Sequence, residues 1–259
     1  MSEPVSPDLW RHLTAATPAR VALGRVGPSL PTAEALAFAL AHARARDAVH
    51  AGLDGARLRS DLDRLNLNSV DVTSAAGSRE AYLVRPDLGR RLAPSSRDAL
   101  AGHKKAASDI ALVVADGLSA HAVNSHAAPL LGALLPAFAR EGWSHSDVFI
   151  AHQGRVALGD EIGELCEARL VLMLIGERPG LSSPDSLGLY LTFAPRIGRQ
   201  EGERNCISNI RGGGLSYEVA AFKAVWLIRE ALSRRLTGVA LKDESDALLT
   251  GYSERGLLR

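Results

Sequence analysis

The chain has 259 residues, 46% of them hydrophobic, which suits one large globular domain or two small ones. Its 30 Lys and Arg residues nearly balance 29 Asp and Glu residues, and the net charge of +1 argues against a general nucleic-acid-binding or membrane-binding surface. Two cysteines cannot supply a disulfide framework or a zinc site, and no apolar run reaches the roughly 18 residues of a transmembrane helix.

The N-terminal third of the chain is predicted to be mainly helical. A short helical arm is expected around Asp8–Leu13, followed by a loop over Ala22–Pro31, which holds two glycines and two prolines. A longer helix is predicted from Thr32 to about Ala51, because apolar residues recur there at helical spacing. Another short helix is expected within Asp54–Asn68.

The residue pattern changes between Val70 and Pro94, and we place a domain boundary there. Weak strand character over Val70–Val84 is followed by the basic turn Arg85–Leu92, in which four charges accompany a proline and a glycine. A helix is predicted after this turn, ending at about Lys105. We therefore divide the chain into a mainly helical N-terminal region, residues 1–84, and an α/β cofactor-binding domain, residues 85–259.

From Asp109 onward, short apolar runs alternate with helical segments. Strands are predicted at Ile110–Ala115, Val148–His152, Leu170–Ile175 and Leu187–Phe193, and helices at Leu118–Arg140, Asp160–Ala168 and Leu215–Leu236. Pro129 and Pro136 are expected to kink or split the first of these helices. The alternation indicates an α/β fold with a doubly wound, mostly parallel sheet and right-handed crossovers.

The segment Leu170–Gly176 carries no charge and no hydroxyl group, as expected for a strand buried on both faces of a parallel sheet. It continues into Gly176–Gly180, with the sequence Gly-Glu-Arg-Pro-Gly. Because ligands of open α/β sheets bind at the carboxyl ends of the strands, we expect binding or chemistry at this loop, with Glu177 at its tip. The alternative is an ordinary turn whose Glu177 and Arg178 are solvated.

Three further loops are predicted to leave the sheet, at Asp116-Gly117, at Gln153–Val156 and over the long segment Pro195–Gly214. The long segment holds polar residues around Cys206 and ends in a triple glycine ahead of a helix. That triple glycine could bind an anion at the helix N-terminus or let the backbone lie flat against a large planar ligand. A flexible linker is the alternative.

The usual enzyme motifs are absent from the sequence. It contains no dinucleotide-binding glycine motif, no Walker A loop and no nucleophile elbow. Its histidines, His152 among them, do not have a ligand spacing with cysteines or carboxylates. The loops are therefore expected to form half of a site that another protein completes.

Six segments carry a family resemblance: Ala19–Gly27, Arg85–Leu92, Asp116-Gly117-Leu118-Ser119, Ile162-Gly163-Glu164, Gly176–Leu181 and Cys206–Ile210. Taken together, they resemble the small (light) subunit of ethanolamine ammonia-lyase. The pairing of Gly-Glu-Arg-Pro-Gly with Cys-Ile-Ser-Asn-Ile is specific, and the resemblance extends from about Thr17 to Gly238.

The resemblance implies a part in a carbon–nitrogen lyase that uses adenosylcobalamin to convert ethanolamine to acetaldehyde and ammonia by a radical route. It also implies a large TIM-barrel subunit that holds the substrate, with the cofactor lying between the two subunits. The cofactor contacts of the family carry over to Val156, Glu177 and Cys206, which fall in three different predicted sheet-exit loops. No catalytic residue is expected in this chain, which should be inactive alone.

The resemblance also bears on the cobalt and on cellular location. The sequence lacks the Asp-x-His-x-x-Gly motif that supplies a histidine to cobalt, so the cofactor is expected to keep its own benzimidazole and no metal ligand is expected from this chain. Longer family members carry an N-terminal extension that can direct them into a protein-shelled microcompartment, for which Met1–Ala16 leaves little room. The N-terminus has no signal-peptide pattern either, so a cytoplasmic location is expected.

Two other interpretations are compatible with the residues. The chain could be a free-standing α/β hydrolase or transferase that uses Asp116, His152 and Glu177. It could also be a non-catalytic scaffold whose basic Arg85–Arg91 turn binds an acidic partner. The accessory-subunit interpretation requires a second, larger chain and bound cobalamin, whereas the hydrolase or transferase requires activity from this chain alone.

Overall fold

The computed structural model describes residues 8–17, 19–102 and 107–247. The strands are β1 (Ser69–Thr73), β2 (Ile110–Ala115), β3 (His145–His152), β4 (Leu170–Gly176), β5 (Leu187–Phe193) and β6 (Asn205–Ile210). The α-helices are α1 (Thr32–His50), α2 (Gly55–Asp63), α3 (Arg79–Val84), α4 (Pro94–Gly102), α5 (Ala120–Glu141), α6 (Val156–Leu165) and α7 (Tyr217–Arg234). Short 3₁₀ helices cover Arg11–Ala15, Leu88–Arg90, Glu201–Glu203 and Gly238–Ala240.

The six strands form one sheet in the order β1-β3-β2-β4-β5-β6. Strands β1 to β4 are parallel to one another, and β5 runs antiparallel to both β4 and β6. Strand β6 therefore points in the same direction as β4, and its carboxyl end lies at the edge where β1 to β4 also end. The predicted α/β fold with a mostly parallel sheet is confirmed.

The centre of the sheet is buried on both faces, as the sequence predicts for β4. Every residue of β2 and β4 is buried, and alternate residues face two separate cores. Leu112 and Leu172 belong to a core that also contains residues of α2, α5 and α7. Val113 and Met173 belong to the other core, which contains residues of α4 and α6. Helices on both faces are what allow these strands to be apolar at every position.

Helix α5 is one uninterrupted helix, so Pro129 and Pro136 do not split it, and the alternative of a kink stays a prediction. Each proline removes one backbone donor, but ten of the 22 residues are buried against the rest of the protein, and this packing stabilises the whole helix. The side chain of Ser119 caps the start, and Gly142, with φ of 69°, ends the helix in the left-handed region. Among the described residues, α5 alone has the length and composition of a membrane span, and half of that window is buried, as in a core helix.

The predicted long loop Pro195–Gly214 is wrong over Asn205–Ile210, because these residues form the edge strand β6. Ile207 lies opposite Leu189 and Ile210 lies opposite Leu187, so β6 carries one residue more than β5 between these pairs. Such a bulge lets two isoleucines three positions apart both face the core. It also removes the strict alternation by which a half-buried strand is recognised in sequence.

The segment Val70–Val84, for which weak strand character is predicted, divides between a strand and a helix. Residues Ser69–Thr73 pair with β3, and α3 follows, capped by Ser78 through a hydrogen bond from Ala81 N–H. Residues 1–84 thus supply an edge strand to the sheet, and a domain boundary after residue 84 stays a prediction. The predicted helix end at Lys105 and the tail beyond residue 247 lie outside the described residues.

Candidate functional site

An open pocket of about 420 Å³ lies at the carboxyl edge of the parallel strands. Its walls come from the turn after β2, the start of α6, the loop after β4 and the middle of β5. The lining residues are Tyr82, Gly117, Leu118, Arg155, Val156, Ile175, Gly176, Glu177, Arg178 and Tyr190. Two smaller pockets, of about 230 and 220 Å³, extend it past the first turn of α6 to Arg90 and Arg199.

Two glycines let the backbones under the pocket approach closely. Gly117 has φ of 55°, and a Cβ atom at this position would lie 2.2 Å from the carbonyl oxygen of Gly176. A Cβ atom at Gly176 would lie 2.0 Å from the carbonyl oxygen of Ser119. The N–H of Leu118 donates to the Gly176 carbonyl at 2.9 Å, which ties the turn after β2 to the end of β4. Only glycine permits this contact.

Asp116 anchors the loop that leads to α6. Its carboxylate is buried and accepts hydrogen bonds from the backbone N–H groups of Gln153, at 2.9 Å, and Gly154, at 3.1 Å. Arg79 approaches it to 3.9 Å. Burial raises the pKa of Asp116, although the two N–H donors and Arg79 act in the opposite direction. The bonds hold Gln153 at φ of 57°, a costly conformation for a residue other than glycine, so Asp116 has a structural role.

Tyr82 is fully buried behind the pocket and organises two arginines. The guanidinium carbons of Arg155 and Arg79 lie 4.2 and 4.9 Å from the centre of its ring. Its hydroxyl donates to the Gly154 carbonyl at 3.1 Å, and burial raises the pKa of Tyr82 to about 12. Arg155 also donates to the Tyr82 carbonyl, yet its Nε is buried without a partner among the described residues. The pocket wall therefore holds an unsatisfied donor.

Val156 is the first residue of α6, so its predicted position in a loop is wrong, as is the predicted helix start at Asp160. The helix starts earlier because Leu158 and Ile162, four residues apart, face the core beneath the sheet. The residue before the helix, Arg155, has extended backbone angles and its side chain does not cap the helix. The first N–H groups of α6 thus have no side-chain acceptor from that position and could donate to a ligand.

Glu177 follows β4 directly and connects three strands. Its Oε2 atom accepts a hydrogen bond from the Ser186 hydroxyl, just before β5, and another from Asn209 N–H, near the end of β6, at 3.2 Å. Within the described part of the chain, its other carboxylate oxygen, Oε1, accepts no hydrogen bond. Glu177 is therefore ordered by the sheet rather than solvated in a simple turn, and one oxygen is available to a ligand in the pocket.

Cys206 lies in strand β6 rather than in the predicted loop, opposite Tyr190 of β5. Tyr190 lines the pocket, so Cys206 lies one strand away from it. The sulfur lies 3.2 Å from the Ser208 hydroxyl. Desolvation by the surrounding protein raises the pKa of the Cys206 thiol, and the nearby Glu177 carboxylate raises it further, while hydrogen bonds to Ser208 and Tyr190 oppose the shift. A protonated thiol is a poor nucleophile.

Asp116, His152 and Glu177 do not form a catalytic triad. His152 Nε2 lies 3.0 Å from Asp71, whereas the two acids are bonded to the groups described above. Within residues 8–17, 19–102 and 107–247, no cluster of three or more histidine, cysteine or acidic residues suits a metal ion.

The basic turn Arg85–Arg91 is largely neutralised by this chain's own acids. Arg85 pairs with Asp87 at 2.7 Å, and Arg90 pairs with Glu201. The turn also packs against the pocket wall, because the N–H of Arg155 donates to the Gly89 carbonyl at 2.8 Å. Its main observable role is to support Arg155.

Two buried acids hold α6 in place beneath the pocket. Asp160 pairs with Arg204, just before β6, and the two side chains are only 2% and 1% exposed. Burial raises the pKa of Asp160, and Arg204 opposes that shift. Glu161 accepts from the N–H of Leu92 at 3.0 Å and pairs with Arg97 at 2.7 Å. The position of Val156 therefore depends on the segment around Arg204, before β6, and on the segment from Leu92 to Arg97.

Sequence analysis missed Arg79, Tyr82 and Tyr190, which shape the pocket as much as the residues it identified. Tyr82 and Gly154 are 72 residues apart, and Arg79 and Gln153 are 74 apart. No residue spacing in the sequence predicts contacts between residues so far apart.

The fold and the pocket together define an α/β protein with an open pocket at the carboxyl edge of its sheet. The family model for Ethanolamine ammonia-lyase light chain (EutC) matches residues 7–242. Because this match covers most of the chain, the protein belongs to the ethanolamine ammonia-lyase light-chain family.

Individual relatives agree with the family match. The Ethanolamine ammonia-lyase small subunit of Xanthomonas campestris pv. campestris is 56% identical over 256 residues, which cover 97% of this chain and 94% of the relative. The small subunit of Azotobacter vinelandii is 56% identical over 247 residues, covering 94% and 91%. That of Rhodopseudomonas palustris is 57% identical over 235 residues, covering 91% and 90%.

Proposed function

We propose that this chain is the small subunit of an adenosylcobalamin-dependent ethanolamine ammonia-lyase and that it binds the cofactor at an interface with a large subunit. The observation that carries the proposal is the convergence of three positions far apart in sequence. Val156 and Glu177 line one pocket, and Cys206 lies beside it on the strand next to Tyr190. These are the positions that the family resemblance assigns to the cofactor.

The chemistry of the pocket fits one edge of a corrin. The rim of a corrin carries amide groups, which both donate and accept hydrogen bonds. The pocket offers Glu177 Oε1 as an acceptor, and the Arg155 guanidinium and the first N–H groups of α6 as donors. Ile175 and Val156 add apolar surface. Because the pocket is open on one side, a second protein surface must cover the rest of the cofactor.

In this proposal the cofactor supplies the radical chemistry, and this chain binds and orients it. Glu177 would accept a hydrogen bond from an amide of the cofactor, and Arg155 would donate one. Val156 and Tyr190 exclude water from the cofactor edge, and Cys206 contributes a small neutral side chain. The large subunit, a TIM barrel by family resemblance, holds ethanolamine and completes the carbon–nitrogen lyase. This chain would supply no ligand to the cobalt.

The proposal extends to organisation and location. Residues 85–259 carry all three cofactor positions and would form the cofactor-binding domain, with residues 1–84 as an adjoining region. We place the assembled enzyme in the cytoplasm, with a protein-shelled microcompartment as the alternative.

A reconstitution experiment tests the proposal. The chain is expressed with and without the large subunit, adenosylcobalamin and ethanolamine are added, and acetaldehyde is assayed. Turnover is expected only from the mixture, since the residues that the structure describes present no nucleophile or base positioned for the reaction. Turnover by the isolated chain would favour a free-standing enzyme, and a mixture that neither binds cobalamin nor turns over would contradict the proposal.

The role of Glu177 is tested in the same assembled enzyme by measuring cobalamin binding. A hydrogen bond to a charged group contributes about 1.5–3 kcal/mol, so Glu177→Ala should weaken binding roughly ten- to a hundredfold. Ser186→Ala is the matched control, because it removes one structural bond to Oε2 and keeps the carboxylate. Equal losses in the two variants would show that Glu177 only connects strands.

A further inference from the structure

Helix α1 is almost unpacked in this chain. Of its 19 residues, Ala48 alone is buried. Leu36, Phe38 and Leu40 are 65%, 50% and 51% exposed. Leu30, just before the helix, is 56% exposed. Burying a large apolar side chain is strongly favourable, so a helix that leaves several of them in water lacks a packing partner.

The apolar residues of α1 are not restricted to one face. Residues 35–41 read Ala-Leu-Ala-Phe-Ala-Leu-Ala, and seven consecutive positions cover every side of a helix. A helix on a protein surface has one apolar stripe and a polar opposite face, whereas a helix that is apolar all round is buried. The N-terminal half of α1 therefore has the composition of a helix enclosed by protein on several sides.

Two arginines connect α1 to segments around the pocket. Arg20 lies over the Phe38 ring, 5.8 Å from its centre, and donates to the carbonyl oxygen of Leu181, in the loop after β4, at 3.4 Å. Arg79 Nε donates to the carbonyl oxygen of Val49 at 2.8 Å, and its terminal nitrogen donates to that of Gly117 at 2.7 Å. Arg79 thus bridges α1 to Gly117 of the pocket wall, and Arg20 bridges it to the loop that continues from that wall.

We propose that α1 is a docking helix for the large subunit, which encloses Leu36, Phe38 and Leu40 when it covers the cofactor pocket. This inference rests on the proposed function. The occupant is the large subunit rather than a second copy of this chain, because the pocket that α1 adjoins already requires a covering protein. A stable interface buries about 800 Å² per partner, and the small, partly polar pocket cannot supply this alone. A helix of 19 residues, about 28 Å long, supplies the missing apolar area.

The test uses the double variant Leu36→Glu/Leu40→Glu, which leaves the contact between Arg20 and Phe38 in place. Association with the large subunit is measured by titration and co-purification, and thermal unfolding is measured on the isolated chain. We expect association to weaken by at least about a hundredfold. The thermal midpoint of the isolated chain should stay within about 3 °C of wild type, because these side chains are mostly in solvent.

Val239→Glu is the matched control. Val239 is 84% exposed and lies in the 3₁₀ helix Gly238–Ala240, which contacts Glu201–Glu203 rather than α1. This variant should associate as wild type does. Suppose that the wild-type pair assembles and binds cobalamin, and that the α1 double variant associates equally well. This result would overturn the docking role and leave the proposed function intact.

Three further outcomes are decisive. A wild-type pair that does not assemble overturns both proposals. A lower thermal midpoint of the isolated variant with unchanged association means that α1 packs on its own chain. The isolated wild-type chain could self-associate, and the double variant could lose this self-association but still bind the large subunit. That result would assign α1 to contacts between copies of this chain. Either of the last two results overturns the docking role.

Discussion

Replacing Gly176 by alanine should damage the structure beneath the pocket more than an ordinary glycine substitution. The new Cβ atom would lie 2.0 Å from the carbonyl oxygen of Ser119 and 2.5 Å from that of Asp116. Cβ atoms essentially never approach other heavy atoms within 3.0 Å, so a shift of at least about 1 Å is required. Both neighbours are backbone atoms, which yield less readily than the end of a flexible side chain.

The magnitude follows from what this shift would break. Overpacking a well-packed interior costs about 1–3 kcal/mol. Separating β4 from the turn after β2 would also lengthen the hydrogen bond from Leu118 N–H to the Gly176 carbonyl, worth about 1 kcal/mol. We therefore expect Gly176→Ala to lower the free energy of unfolding by about 2–4 kcal/mol. Because Gly117 and Glu177 flank this contact, the same shift should weaken cobalamin binding in the assembled enzyme.

The assay is chemical denaturation of the isolated chain, with Gly212→Ala as the matched control. Gly212 also lies at this edge of the sheet, after β6, but a Cβ atom there would meet nothing within 4 Å. The control should change the unfolding free energy by less than about 0.5 kcal/mol. If Gly176→Ala fell within the same margin, the argument that β4 and the turn after β2 require two glycines would be refuted.

Two other variants probe the groups around the pocket. Arg204→Leu should destabilise the chain by about 3–5 kcal/mol, because it leaves the buried Asp160 without its partner. The double variant Asp160→Leu/Arg204→Leu should recover most of that loss, and denaturation midpoints that are equally low for both would refute the pairing argument. Cys206→Ala should retain most turnover of the assembled enzyme, because the raised pKa keeps the thiol protonated at neutral pH. A fall in kcat beyond about a thousandfold would show that the thiol takes part in the chemistry.

The central strands could be predicted from sequence because their burial requires an uninterrupted run of apolar residues. Strand β2 has the predicted bounds, and β4 differs from its prediction only by including Gly176. Both strands are covered on two faces, so every position is apolar and the pattern needs no tertiary information. Strand β6 could not be predicted in this way, because the bulge at Asn209, with φ of 62°, breaks the alternation of buried and exposed residues.

Some residues of the pocket could likewise be predicted from the sequence pattern, and others depend on contacts with distant segments. Glu177 could be located from sequence because it directly follows a strand that the pattern identifies. Val156 and Cys206 were identified by family resemblance, and their secondary structure was assigned wrongly. Arg155 lies in the predicted sheet-exit loop Gln153–Val156, but Tyr82 has no sequence signal, since the contacts between the two regions span more than 70 residues. Periodicity reports which side of an element is buried, and it does not report which distant element covers it.

The hydrogen bonds and ion pairs of the acidic residues near the pocket indicate whether these residues have structural or catalytic roles. Asp116 holds two backbone N–H groups, Asp160 and Glu161 hold arginines, and Glu177 connects β5 and β6 through one of its oxygens. A general base must offer an acceptor to the reacting group. Asp116, Asp160 and Glu161 are engaged in fixing backbone or a neighbouring side chain, whereas Glu177 uses only Oε2 in this way and keeps Oε1 for a ligand. Rigid positioning lowers the entropy lost when a ligand binds. This arrangement supports the proposal that the chain holds a preformed surface against a cofactor, with the chemistry supplied by the cofactor and by a covering subunit.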